Sequence, residues 1–187
     1  MSLIILAVIA CVALVFIGIY NGIVGAKNDA AESFSAIDTV LQKRYDLIPN
    51  LVEVVKQYAA HEAGTLTKVT ELRSKLLTNH DASPERFEQE NALYTGMKSI
   101  FAIAENYPDL KASANFLELQ AQWSEIEDNL LGARRAYNAA AKELQNKKEM
   151  FPSNIVAGMM TVPAYPMYEA DEAAKTYRPD AKQLFNN

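Results

Sequence analysis

Val40-Leu41-Gln42-Lys43-Arg44-Tyr45-Asp46-Leu47-Ile48-Pro49-Asn50-Leu51-Val52 decides how the chain folds: one proline interrupts a helical pattern, and polar residues crowd among apolar ones. Pro49 has no amide hydrogen, and its ring clashes with the carbonyl four residues back. Ile48, before it, is biased toward an extended conformation. Proline does suit the first turn of a new helix. The stretch therefore predicts a helix ending near Leu47 and a second starting at Pro49, with Asp46 and Asn50 as acceptors for the second helix's unpaired amides. The competing reading is a kink inside one very long helix.

Working outward, Ala30, Phe34, Ile37, Leu41 and Tyr45 recur at three and four, the spacing of an amphipathic helix. Val52, Val55, Ala59, Leu66, Val69, Leu72 and Leu76 continue it to about Thr78. After a polar loop, Ser83 is a candidate N-cap and Pro84 a first helical residue. The third helix carries Phe87, Tyr94, Met97, Phe101 and Ala104, and Asn106-Tyr107-Pro108-Asp109 stops it. Asp109 is placed to cap a fourth helix from Leu110 to Met150, with Phe116, Leu117, Ala121, Ser124, Leu131 and Leu144 inward. Amphipathic helices with short connections predict an all-α, antiparallel four-helix bundle. A fourth helix of about 40 residues spans about 60 Å and outruns its neighbours. It would leave a stripe around Leu130, Leu131, Tyr137 and Leu144 partly uncovered, from which a homo-oligomer is expected.

No charged side chain precedes Lys27, and Ser2 to Tyr20 is almost wholly apolar. That is enough for a membrane-crossing helix, which needs about 20 such residues. Tyr20 and Asn21 suit its interfacial end. A cleaved signal peptide, or a lipoprotein signal ending at Cys11, would carry a basic leader that is absent here. The expectation is a single-pass anchor over 1–26, a bundle over 27–150 and a tail over 151–187. Lys27, Lys43 and Arg44, following the span, predict a cytoplasmic bundle. Gly18 and Gly22 form a GxxxG pattern, read either as a helix-association stripe or as a flexible exit from the lipid. The tail holds Pro152, Pro163, Pro166 and Pro179 with Tyr165, Met167, Tyr168, Tyr177 and Phe185, too many large apolar residues for simple disorder. A short helix is expected over Ser153–Met160. The tail then covers its own bundle, or meets a neighbour and the lipid headgroups.

Lys43 to Val52 resembles the signature of the LemA family, and three further blocks match in the family's order: Ala104 to Ala112, Ala133 to Asn138 and Phe151 to Ile155. The resemblance implies a membrane-anchored helical bundle of poorly defined activity and supplies no catalytic residues. It also implies that a relative in magnetosome-forming bacteria takes part in building an intracellular membrane.

The formal charge of −5, with both signs well mixed, lacks the basic footprint of a nucleic-acid binder. His61-Glu62 opens a metalloprotease pattern, but residue 65 is Thr. A di-iron bundle needs Glu three residues before His, and those positions hold Tyr58 and Leu77. Phosphate-binding loops and nucleophile elbows are missing from the sequence, so no enzyme, metal or cofactor is expected. What remains is a polar set on apolar faces or near helix ends: Arg44, Asp46, Asn50, Glu105, Asn106, Glu127, Arg134 and Asn138. Buried charges need partners. Asp38, Asp46 or Glu53 are candidates for Arg134, and Arg44 or Arg73 for Glu127. Such a network either fixes register or binds a small polar ligand. The protein is accordingly read as a self-associating membrane scaffold with the lipid bilayer as partner, or as a membrane-bound sensory module.

Overall fold

A computed structural model describes residues 1–168; the tail positions Tyr177, Pro179 and Phe185 lie outside the described residues. The helices are α1 (Ser2–Tyr58), α2 (Ala63–Leu76) after a 3-10 turn at Ala60–Glu62, α3 (Pro84–Ala104), α4 (Pro108–Lys111), α5 (Ala114–Glu149) and α6 (Ser153–Ala157). The described residues contain no strand.

Contrary to the two-helix expectation, α1 continues through Pro49 as one helix. The missing amide of Pro49 would have bonded to the carbonyl of Tyr45. That carbonyl instead accepts the Nε–H of Arg73, from α2, at 2.7 Å. Pro49 itself is exposed, while Leu47, Ile48 and Leu51 beside it are buried and hold the helix to the core. Asp46 and Asn50 are therefore not caps: both are exposed, and Asp46 accepts from Gln42 Nε2 at 2.8 Å. The chain turns ten residues later, at fully buried Ala59 (φ −127°, ψ 53°), a side chain small enough for a tight helical corner.

Ser83 caps α3 as expected, accepting from the Arg86 amide at 3.2 Å. The fourth helix is in fact two. Asp109 lies exposed in the first turn of the short α4, and α5 starts afresh after Ser113 without a side-chain cap bond.

α1 and α5 run antiparallel, with Phe34 against Tyr137 (ring centroids 5.5 Å) and Arg44 beside Glu127. Buried residues recur every seven on both: Ile23, Ala30, Ile37, Arg44 and Leu51 on α1, and Phe116, Trp123, Leu130, Tyr137 and Leu144 on α5. A period of seven keeps one stripe toward one neighbour along the whole length. On the expected inner face of α5, Phe116 and Leu144 are buried, whereas Leu117, Ala121, Ser124 and Leu131 are exposed. The length of α5 is matched by α1, so Leu130, Tyr137 and Leu144 are covered and only Leu131 of the expected open stripe is bare. α2 and α3 pack closely: a Cβ on Gly96 would stand 2.8 Å from Val69 Cγ2, so no larger residue fits without movement.

The main core lies between α1, α2, α3 and α5. A second, smaller one joins Ile23, Ala26 and Ala30 to Leu144, Val156 and Ala157, with Ile19, Met160, Val162 and Tyr165 packed on it. Residues 1–18 are exposed throughout.

Because Arg73 substitutes for the amide that Pro49 lacks, the two residues should be coupled. Pro49→Ala should raise stability by up to about 3 kcal/mol, since a proline penalty disappears from an exposed helical position. Arg73→Met should cost about 1–3 kcal/mol in the native background and distinctly less when combined with Pro49→Ala, whose new amide takes over the Tyr45 carbonyl. Thermal unfolding of the four variants in detergent gives the cycle; additive effects would disprove the coupling.

Candidate functional site: a buried charge cluster beneath the tail

Three helices bring polar side chains together: Asp38, Arg44 and Tyr45 from α1, Arg86 and Glu90 from α3, and Glu127 and Arg134 from α5. Arg86 and Glu90 keep helical spacing with Phe87, Leu93 and Met97, so they share the inward face. Arg44 and Glu90 are both completely buried, with Nη1 donating to Oε2 at 2.9 Å. The Tyr45 hydroxyl donates to the other oxygen of Glu90. Arg44 Nε lies 3.0 Å from Glu127 Oε1, but its N–H is not directed there, so this contact is Coulombic rather than a hydrogen bond. The Arg44 guanidinium also stands over the Trp123 ring, 4.9 Å from its centroid. Arg86 pairs with Asp38 and lies 5.4 Å from the centre of the Phe34 ring.

The tail closes over this cluster. Tyr168 is buried and stacks on Phe87, with ring centroids 3.5 Å apart. Asn138 grips its backbone at both ends, donating to the Tyr168 carbonyl and accepting from its amide, each at 2.9 Å. Tyr137 Oη donates to the Pro166 carbonyl at 2.8 Å. Arg134 sits over the Tyr168 ring at 4.8 Å, and its Nε and Nη2 are buried without hydrogen-bond partners.

Burial raises the pKa of Glu127 above the usual carboxyl value, outweighing the opposing pull of Arg44 and Arg134. Burial lowers that of Arg134, with repulsion from Arg44 adding to it. Burial and then Glu90 raise Tyr45, and burial raises Tyr168. Tyr137 is pushed up to about 12 by burial and by Tyr165. For Arg86, burial pulls the pKa down but Asp38 and Tyr45 together outweigh it and raise it. Tyr45 and Tyr137 are thus neutral hydrogen-bond donors at neutral pH, whereas the Tyr168 hydroxyl is buried without a partner. Above the cluster a groove of about 420 Å³ opens between α3, α5 and the tail, bordered by Asn91, Tyr94, Glu127, Arg134, Arg135, Asn138 and Tyr168.

Of the eight polar residues expected together, Arg44, Glu127, Arg134 and Asn138 do meet. Asp46 and Asn50 lie on the outer surface of α1, and Glu105 and Asn106 are exposed past the end of α3, where Glu105 pairs with Lys111. Glu127 contacts Arg44 as expected, whereas none of Asp38, Asp46 and Glu53 bonds Arg134; Asp38 serves Arg86 instead. Arg86, Glu90 and Tyr168 were not anticipated. The available signal was a charge at a stripe position beside Phe87 and Leu93. His61 and His80 are exposed, and no group of three His, Cys, Asp or Glu among the described residues is placed to hold a metal ion.

These features define a class: an α-helical bundle with an ionic interior, carried on a helix whose first turns are apolar and bare. The LemA family model matches residues 33–182, and the chain belongs to the LemA family. It is 26% identical over 158 residues to Protein LemA of Metamycoplasma hominis, covering 84% of this chain and 72% of that protein. It is 21% identical over 178 residues to the magnetosome proteins MamQ 1 and MamQ 2 of Paramagnetospirillum magneticum, covering 82% of this chain and 65% of each.

Glu90→Gln breaks a fully buried pair and should cost about 3–5 kcal/mol. Arg134→Met removes a cation over a ring rather than a salt bridge and should cost only about 1–2 kcal/mol. Equal losses in chemical denaturation would contradict this ranking. A second test uses pH. The folded-state pKa of Glu127 lies above its ordinary 4.5. Its contribution is therefore full below that pH and is lost as pH rises through the folded value. Glutamine has no such loss, so the stability of Glu127→Gln relative to the native protein should climb from about pH 4.5 toward neutrality. A difference independent of pH would put Glu127 in water.

Proposed function

We propose that this protein is a single-pass membrane scaffold that associates with itself in the bilayer and acts in membrane organisation or envelope maintenance. The observation that carries this reading is α1, whose bare apolar first 18 residues continue without a break into the bundle. A helix of that length and composition can cross a membrane. The charge cluster supports a structural role, because its pairs are formed between the protein's own helices. Likeness to magnetosome proteins favours placing the role at a membrane. Lys27 and Lys43 after the span favour a cytoplasmic bundle, and protease added to intact cells or spheroplasts should then leave it uncut.

A second reading is a sensory or partner-binding module, favoured by the unpaired donors of Arg134 beside the groove. The two separate by behaviour: a scaffold forms assemblies without added ligand, whereas a sensor is small and changes state when a ligand is supplied.

Self-association is read from Gly18 and Gly22. A Cβ on Gly18 meets nothing within 4 Å, so a larger side chain there leaves the monomer intact. Gly18→Ile should weaken association in vesicles about tenfold, close to 1.4 kcal/mol, as seen by energy transfer between labelled copies. Unchanged transfer would remove this stripe from the interface.

A further inference from the structure

α5 runs antiparallel to α1 and so descends toward the apolar N-terminal segment. Lys147, near its end, approaches Gly22, whose Cβ would lie 3.7 Å from the lysine Nζ. α6 then packs on Ile19, Ile23 and Ala26 through Val156 and Ala157. The turn between α5 and α6 therefore sits level with the exit of the candidate span. At that level four large apolar side chains point away from the protein: Met150, Phe151, Ile155 and Met159, with Phe151 79% and Met159 72% exposed. Outside the N-terminal segment, exposure of this kind on consecutive turns occurs nowhere else among the described residues; Tyr58, Leu117, Leu131 and Met167 are scattered. Isolated exposed apolar residues are ordinary, but a contiguous group marks a contact surface. Lys147 and Lys148 lie in the last turn of α5, just before the group in sequence, where Lys147 pairs with Glu143 at 3.3 Å and Glu149 follows.

We propose that this α5–α6 corner is a second membrane contact, in which Met150, Phe151, Ile155 and Met159 enter the headgroup–acyl boundary of the leaflet from which α1 emerges. The proposal rests on α1 crossing that bilayer. With two attachments the bundle has a fixed tilt and a fixed face toward the membrane, which one helix cannot impose. A second copy of the chain is the rival occupant.

The test uses the full chain in phosphatidylcholine vesicles, with Cys11→Ser and one new cysteine carrying an environment-sensitive fluorophore. Sites are Ile155→Cys and Met159→Cys at the corner, Val12→Cys in the span and Lys68→Cys on exposed α2. Lipids bearing a nitroxide near the headgroup should quench the two corner labels at least twofold more strongly than the Lys68→Cys label. Corner labels quenched no more than the Lys68→Cys label, while the Val12→Cys label is quenched by nitroxides deeper in the chains, would overturn the proposal and leave the span standing. A Val12→Cys label untouched at every depth would instead overturn the membrane reading beneath it. Corner labels shielded from both water and nitroxide, with shielding that fades on dilution into excess lipid, would assign the surface to a second copy and also refute the proposal.

Discussion

The ion pair between Arg44 and Glu90 constrains the rest of the bundle. Both side chains are fully buried, and removing two charges from water costs several kcal/mol each even after the protein relaxes. That cost is offset only while every partner is in place. Glu90 needs the Arg44 guanidinium on one oxygen and the Tyr45 hydroxyl on the other, and Arg44 needs the Trp123 face and the nearby Glu127 charge. The pair therefore does little for net stability and much for register. Sliding α3 or α5 along α1 by one residue would strand a charge in the core, whereas an apolar stripe repeating every seven residues would tolerate slips of a whole repeat.

Two other contacts follow the same principle, that a polar group without a local partner finds one across the fold. Pro49 frees the Tyr45 carbonyl, and Arg73 reaches over from α2 to take it. The Asn138 amide reads the backbone of Tyr168 through a donor and an acceptor at once, as a strand neighbour would. The tail is thereby fastened over the charge cluster by geometry that does not depend on its side chains, and the stacked Tyr168 ring then roofs Arg134.

Much of this was legible in the sequence. The apolar segment, the stripes of α1 to α3 and the Ser83 cap came from spacing and residue type, and the family likeness from four matching blocks of sequence. Pro49 misled because local propensity was allowed to decide what packing decides: Leu47, Ile48 and Leu51 bury on the same helix face and hold it intact. The true corner at Ala59 has neither glycine nor proline at the turn and gives almost no local signal. On α5 the neighbours Leu130 and Leu131 make two faces nearly equivalent, and choosing Leu131 misplaced the middle of a stripe whose ends, Phe116 and Leu144, were read correctly. Trp123 and Tyr137 were the better guides, since large rings at a spacing of fourteen mark the buried stripe. Arg86 and Glu90 escaped notice because charged residues on a helix are ordinarily solvated, and nothing local identifies the pair that α1 will provide.

The continuity of α1 has a mechanical meaning. One uninterrupted rod runs from the bare apolar turns to the distal corner at Ala59, with the bundle clamped along its second half. Such a rod transmits rotation and tilt with little loss. A tilt of about 10° at one end displaces the other by roughly 15 Å over a lever of this length. With α1 crossing a bilayer as proposed, changes in bilayer thickness or curvature would thus reach the far corner as motion of a rigid body, without any residue in between having to change its conformation.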